Sequence, residues 1–166
     1  IALALSFASV SFAQSKDDKR ASLVGAANIA FKEVGVASLG GGSAGSPYAL
    51  QVEKAFKAAG IHVADLEDAA QKGEPVYELD CASMETPEAK VGVACEARLL
   101  RPVSLDGTSP PKPYAVTWTS PLVVAQFDHD RVGDLEKITA KLVDGFVEDW
   151  SAANAVSSKK LQKRKK

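Results

Sequence analysis

Two runs of alternating side chains constrain this chain more than anything else in it. Between Pro75 and Met84, Tyr77, Leu79 and Cys81 fall on one side, and Glu78 and Asp80 on the other. Between Val91 and Val103, Val93, Cys95, Ala97 and Leu99 share a side opposite Glu96 and Arg98. A period of two is that of a strand with one buried and one wetted face. The stretch from Glu85 to Lys90, around Pro87, reads as the turn between them. Placing Cys81 opposite Cys95 sets Leu79 against Ala97 and Tyr77 against Leu99, so apolar meets apolar along one face.

The chain holds two cysteines. An even count in an exported protein points to a disulfide, here Cys81 to Cys95 across the hairpin. Two buried free thiols are the alternative. The spacing is not C-x-x-C, and no zinc-like set of Cys and His accompanies it.

Export is read from the start of the sequence. Ile1 to Ala13, IALALSFASVSFA, carries no charge and is too short to span a bilayer. It reads as the apolar region of a signal peptide ending in Ser11-Phe12-Ala13, with cleavage expected before Gln14. A basic region and an initiating Met are not seen ahead of it, as expected of a sequence that starts part-way into such a peptide. No Cys stands at the junction, so no lipid anchor is expected there. A buried N-terminal strand or helix is the competing reading. Lys16-Asp17-Asp18-Lys19-Arg20 then reads as part of a flexible N-terminus over residues 14–20.

The 166 residues, 46% hydrophobic and 25% charged, suit one globular domain, expected over residues 21–155. The net charge of -1 hides a split. From Ser158 the chain carries Lys159, Lys160, Lys163, Arg164, Lys165 and Lys166 and no acid. The remainder has 14 basic against 21 acidic residues, an excess of seven negative charges. An acidic body argues against nucleic acid as a partner. Residues 156–166 read as a basic disordered tail, with weak contact to an anionic envelope surface as the other reading.

Within the body, Phe31 to Ser38 reads as a strand. Ser46-Pro47 starts a helix that runs to Ala59, with Tyr48, Val52, Phe56 and Ala59 on one stripe and Gly60 as its left-handed stop. Ile61 to Val63 is a short strand, and Ala64 to Gly73 a short helix or loop. Tyr114 to Phe127 is one β segment in which Pro121 demands an edge, a bulge or a break. A long helix from Asp134 to about Ala153 buries Leu135, Ile138, Leu142, Phe146 and Trp150, with Val143 and Val147 beside them. Gly145 in its middle suggests close approach to the sheet. The order β-α-β-β-β-β-α predicts an α+β two-layer sandwich. Its sheet is mostly antiparallel, with a helix after the first strand and a long C-terminal helix packed on one face.

Chemistry is harder to find. Gly40, Gly42 and Gly45 satisfy G-x-G-x-x-G, but no ribose-binding acid follows, and a connecting loop is the reading. Asp128-His129-Asp130 offers metal ligands, with His62 as a candidate further ligand, and a solvated loop is the competing reading. Ser43, Ser46 and Ser120 lack a nucleophile-elbow context. Trp118 and Trp150 are expected in the core or at an interface, with a ligand pocket as the alternative. No catalytic residue and no cofactor is assigned.

The helix Leu142-Val143-Asp144-Gly145-Phe146-Val147-Glu148-Asp149-Trp150, the Trp118-bearing strand and the helix end Lys57-Ala58-Ala59-Gly60-Ile61 resemble small exported bacterial proteins of no assigned activity. The resemblance spans Ala21 to Asn154 and implies a β-α, β-hairpin, long-helix arrangement. Its residues are packing residues, so it transfers no catalytic group. The expected function is a non-enzymatic binding or interaction module, periplasmic or secreted, for an unknown protein or small ligand. A small metal-dependent hydrolase and an envelope-associated structural protein are the alternatives.

Overall fold

A computed structural model describes residues 15–34, 47–85, 90–103, 113–128 and 133–163. The predicted hairpin sits at its centre. Strands β3 (Val76–Glu85) and β4 (Lys90–Pro102) pair antiparallel, with Tyr77 opposite Leu99, Leu79 opposite Ala97 and Cys81 opposite Cys95. The two cysteines form the expected disulfide, their Cα atoms 4.2 Å apart, and neither is exposed. Such closeness belongs to the narrow, non-hydrogen-bonded pairs of an antiparallel ladder.

Around this hairpin the sheet runs β2-β1-β3-β4-β5, with a further strand, β6, also on β4. Strand β1 (Asn28–Val34) lies parallel to both β2 (His62–Ala64) and β3. Parallel neighbours need crossovers, supplied here by helices α2 (Pro47–Ala59) and α3 (Leu66–Lys72). The sheet is therefore mixed within the expected α+β class. The expected strand over Phe31 to Ser38 starts earlier, at Asn28, and residues 35–38 lie outside the described ones.

The expected single segment from Tyr114 to Phe127 is two strands. Strands β5 (Tyr114–Thr119) and β6 (Val123–Asp128) both pair antiparallel with β4, end to end along one side of it. Pro121 sits in the break. Ser120 holds that corner, its backbone N–H donating to Ala97 O at 2.8 Å and its hydroxyl accepting from Ala97 N at 2.8 Å. A register shift between Leu99 and Leu100 faces Thr117, whose hydroxyl donates to Leu99 O at 3.3 Å.

Helix α2 occupies the expected residues. Gly60 adopts φ 81°, and the amides of Gly60 and Ile61 return to Lys57 O and Phe56 O, a Schellman stop. With α4 (Gly133–Lys163), α2 covers the face that carries Tyr77, Leu79 and Cys81. Phe146 lies 4.8 Å from Tyr77, 5.4 Å from Phe56 and 5.0 Å from Trp118 between ring centroids, joining helix stripes to sheet. The opposite face is polar in the middle. Arg98 pairs with Asp80 at 3.2 Å, with Glu78 at 3.5 Å and with Glu96, and Lys32 reaches Glu78 at 3.0 Å. One corner of that face is covered by α3, where Ala30, Ala69 and Val76 are buried.

Two terminal expectations are corrected. Lys16–Ala21 is a helix, α1, where a flexible N-terminus was expected. Ser15 caps it, accepting from Asp18 N at 3.1 Å, and its acids and bases lie at the dipole-favoured ends. Its anchors are far away in sequence: Arg20 Nε meets Asp149 at 3.3 Å and Lys19 Nζ donates to Thr119 O at 2.8 Å. Helix α4 runs on to Lys163, into the expected disordered tail. Nothing between Ala152 and Lys163 is Gly or Pro, so no residue there stops a helix. Asn154 is itself tied down, accepting from Gly25 N at 3.1 Å and donating to Leu23 O at 3.3 Å.

Candidate functional site

A groove of about 890 Å³ runs along the β5–β6 side of the sheet. One wall is the chain from Trp118 to Val124. The other is the face of α4 that carries Lys141, Leu142, Asp144, Gly145, Glu148 and Asp149. Lys16 and Lys19 of α1 line it at the β5 end, where Lys19 bonds Thr119.

Each feature has a local cause. The break at Pro121 leaves Leu122 60% exposed beside the groove, and Val124 is 71% exposed on β6. Gly145 was expected to permit close packing on the sheet. A Cβ there would meet nothing within 4 Å, so the missing side chain opens space instead. Asp149 is fixed at the β5 end, accepting from Trp118 Nε1 at 3.2 Å and from Arg20 Nε at 3.3 Å. Asp144 and Glu148 are exposed one helical turn apart, and among the described residues no ion pair holds either. Like charges at that spacing repel, by about 0.2–0.5 kcal/mol in an isolated helix.

The residues singled out from sequence are scattered. Trp118 is 2% exposed, stacked edge-on against Phe146, and lines the groove. Trp150 is half-buried elsewhere on α4, its indole donating to Ala26 O at 2.6 Å. Of Asp128, His129 and Asp130, only Asp128 is among the described residues, exposed at the end of β6. His62 cannot join it: β2 and β6 lie four strand spacings apart across the sheet, roughly 19 Å. Among the described residues no group of three His, Cys, Asp or Glu is placed to hold a metal ion. The glycine cluster at 40–45, Ser43, Ser46, the leader at 1–13 and residues 164–166 lie outside the described residues. Ser120 is spent on the strand break.

The groove is not legible in the sequence, although Pro121 and Gly145, which line it, each stand out locally. Nothing in the order of residues says that these two line one cleft.

Fold and groove define a two-layer α+β domain with an open side cleft. No family model matches the chain, and no curated protein is similar to it. Among solved structures, a minor lipoprotein from Acinetobacter baumannii is similar at a TM-score of 0.38 and 9% identity, over 78% of this chain and 93% of that one. That is a loose likeness in chain path and transfers no property.

Proposed function

We propose that this chain is an exported binding module that takes its ligand in the groove between α4 and the β5–β6 edge. The groove carries the reading. Its volume lies within the roughly 300–1,000 Å³ usual for ligand sites, and it joins apolar walls at Leu122 and Leu142 to a few charged groups. Binding of an anilinonaphthalene dye tests it. The protein should enhance dye emission, and Gly145→Leu, which puts a side chain into open space, should remove most of that enhancement while leaving the fold intact. Equal emission from both proteins would refute the groove as the site.

Export is supported by the leader-like sequence of residues 1–13 and by the disulfide, since such bonds persist in oxidising compartments. Protein recovered from the periplasm or medium should begin at Gln14 and resist thiol alkylation. Recovery of the whole leader on cytosolic protein with two reactive thiols would overturn it. Calorimetric titration with divalent ions separates this reading from a metal-dependent hydrolase built on Asp128, His129 and Asp130.

A second reading is favoured by the continuation of α4 to Lys163, which sets Lys159, Lys160 and Lys163 on one helix ahead of Arg164, Lys165 and Lys166. A basic helical extension can contact anionic envelope surfaces. Deleting residues 159–166 should then release the protein from sedimented envelopes, and unchanged sedimentation would rule it out.

A further inference from the structure

The course of α1 fixes where the chain ahead of it joins the domain. Arg20 meets Asp149, and Gly25 N donates to Asn154 Oδ1, so this stretch runs beside α4 in the same direction. Followed backwards from Arg20, the chain moves toward lower numbers on α4. Lys19 and Lys16 already line the groove, whose α4 wall continues through Gly145 to Lys141. Residues 1–14, outside the described ones, thus join the domain at the β5 end of the groove.

The groove's own chemistry narrows its occupant. Lys16, Lys19 and Lys141 line it together with Asp144, Glu148 and Asp149, so the formal charges cancel and neither sign of ligand is favoured. What remains is apolar surface at Pro121, Leu122 and Val123, with open space at Gly145. Residues 1–15 carry no charge. Nearest to α1 stands Ser9-Val10-Ser11-Phe12-Ala13-Gln14, in which Val10 and Phe12 alternate with serines. In an extended segment those two side chains share a face. From Asp149 back to Lys141 a helix rises about 12 Å, which about four extended residues cover.

We propose that in the uncleaved chain the folded domain seats its own leader in the groove, with Val10 and Phe12 inward, and so covers the junction between Ala13 and Gln14. This rests on the groove being the binding site. Tethering selects this occupant over others. A segment joined at the end of the groove competes at a roughly millimolar effective concentration, so a weak apolar fit suffices. Cleavage before Gln14 must then precede closure of the fold over the junction, and it leaves the groove open to a ligand from outside.

The test compares three disulfide-bonded proteins: the full chain, the full chain carrying Val10→Asp with Phe12→Asp, and the chain from Gln14. Neither substitution touches the described domain, so loss of the fold does not enter. The anilinonaphthalene dye reads the groove, and limited digestion with proteinase K, followed by mass spectrometry, reads the junction. The full chain should enhance dye emission about tenfold less than the chain from Gln14, and the double variant should recover it. Proteinase K should cut between residues 9 and 14 about tenfold faster in the double variant than in the full chain. Equal emission from the full chain and the chain from Gln14, or equal cutting of the two full-length proteins, would overturn the proposal. Emission from the full chain that rises on dilution would assign the leader to a neighbouring copy's groove and overturn it as well. The chain from Gln14 separates this failure from that of the groove. Dye bound equally with and without the leader removes only the docked leader; dye bound by neither removes the groove and the proposal together.

Discussion

Among the described residues the hydroxyl of Tyr77 has no hydrogen-bond partner, although the ring is wholly buried among Phe31, Phe56 and Phe146. An unsatisfied buried hydroxyl is costly, so Tyr77→Phe should raise stability by about 1 kcal/mol, read as a higher urea midpoint. Burial also pushes this phenol far above the ordinary tyrosine range. Tyr48 and Tyr114 are raised as well, first by burial and then by nearby carboxylates. The unfolded phenols lose protons near pH 10 while the folded ones keep theirs. Stability should therefore hold below that pH and fall as pH climbs through it, and ultraviolet titration should show Tyr77 ionising only on unfolding. Gly145 gives a second residue-scale expectation. A Cβ there meets nothing, so Gly145→Ala should stabilise α4 by about 0.5–1 kcal/mol in thermal unfolding. These polar and small residues were the hardest to read from sequence. Thr139, fully buried, has its hydroxyl within hydrogen-bond reach of two acceptors, Gln51 Oε1 at 2.9 Å and Glu136 O at 3.0 Å, and no periodicity announces that pairing.

At the scale of elements, the hairpin was legible because register is written locally, as alternation on two neighbouring runs. The helices were legible from stripes and stop signals, Phe56 and Gly60 being the plainest. Helix α1 was not legible. Its charged residues resemble a solvated arm until Asp149 and Thr119 are brought to it across 129 and 100 residues of chain. Asp149→Ala should release Trp118 and Arg20 together. The expected loss is about 1–2 kcal/mol, with a red shift in tryptophan emission from the wetter indole. The disulfide closes a short loop, with 14 residues of separation. Replacing both cysteines by alanine should lower stability by about 3 kcal/mol in chemical denaturation. With neither cysteine exposed, reductant should cleave the bond only as fast as the protein unfolds.

For the whole molecule, composition and element order reach the α+β class but not strand order. The parallel placement of β1 between β2 and β3 follows from crossovers whose helices were read without knowing where they land. The groove belongs to this scale too, since it exists only between α4 and an edge that is 20 residues away in sequence at Pro121 and Lys141. The aromatic cluster ties the layers: Phe146→Ala removes the ring shared by Phe56, Tyr77 and Trp118 and should cost about 3–5 kcal/mol. Calorimetric melting of that variant would show it.

Strand β4 meets β3 along one flank and both β5 and β6 along the other. A sheet built this way has no seam down its middle. Any opening that frees β4 must undo both flanks, so its amides should trade hydrogen for deuterium only through global unfolding, at the full stability of the domain. Amides of α1, held mostly by two side-chain tethers, should trade far sooner. The slowest deuterium uptake in the molecule should thus take in β4, from Lys90 to Arg101, together with the stretch of β3 that β1 covers, Val76 to Asp80.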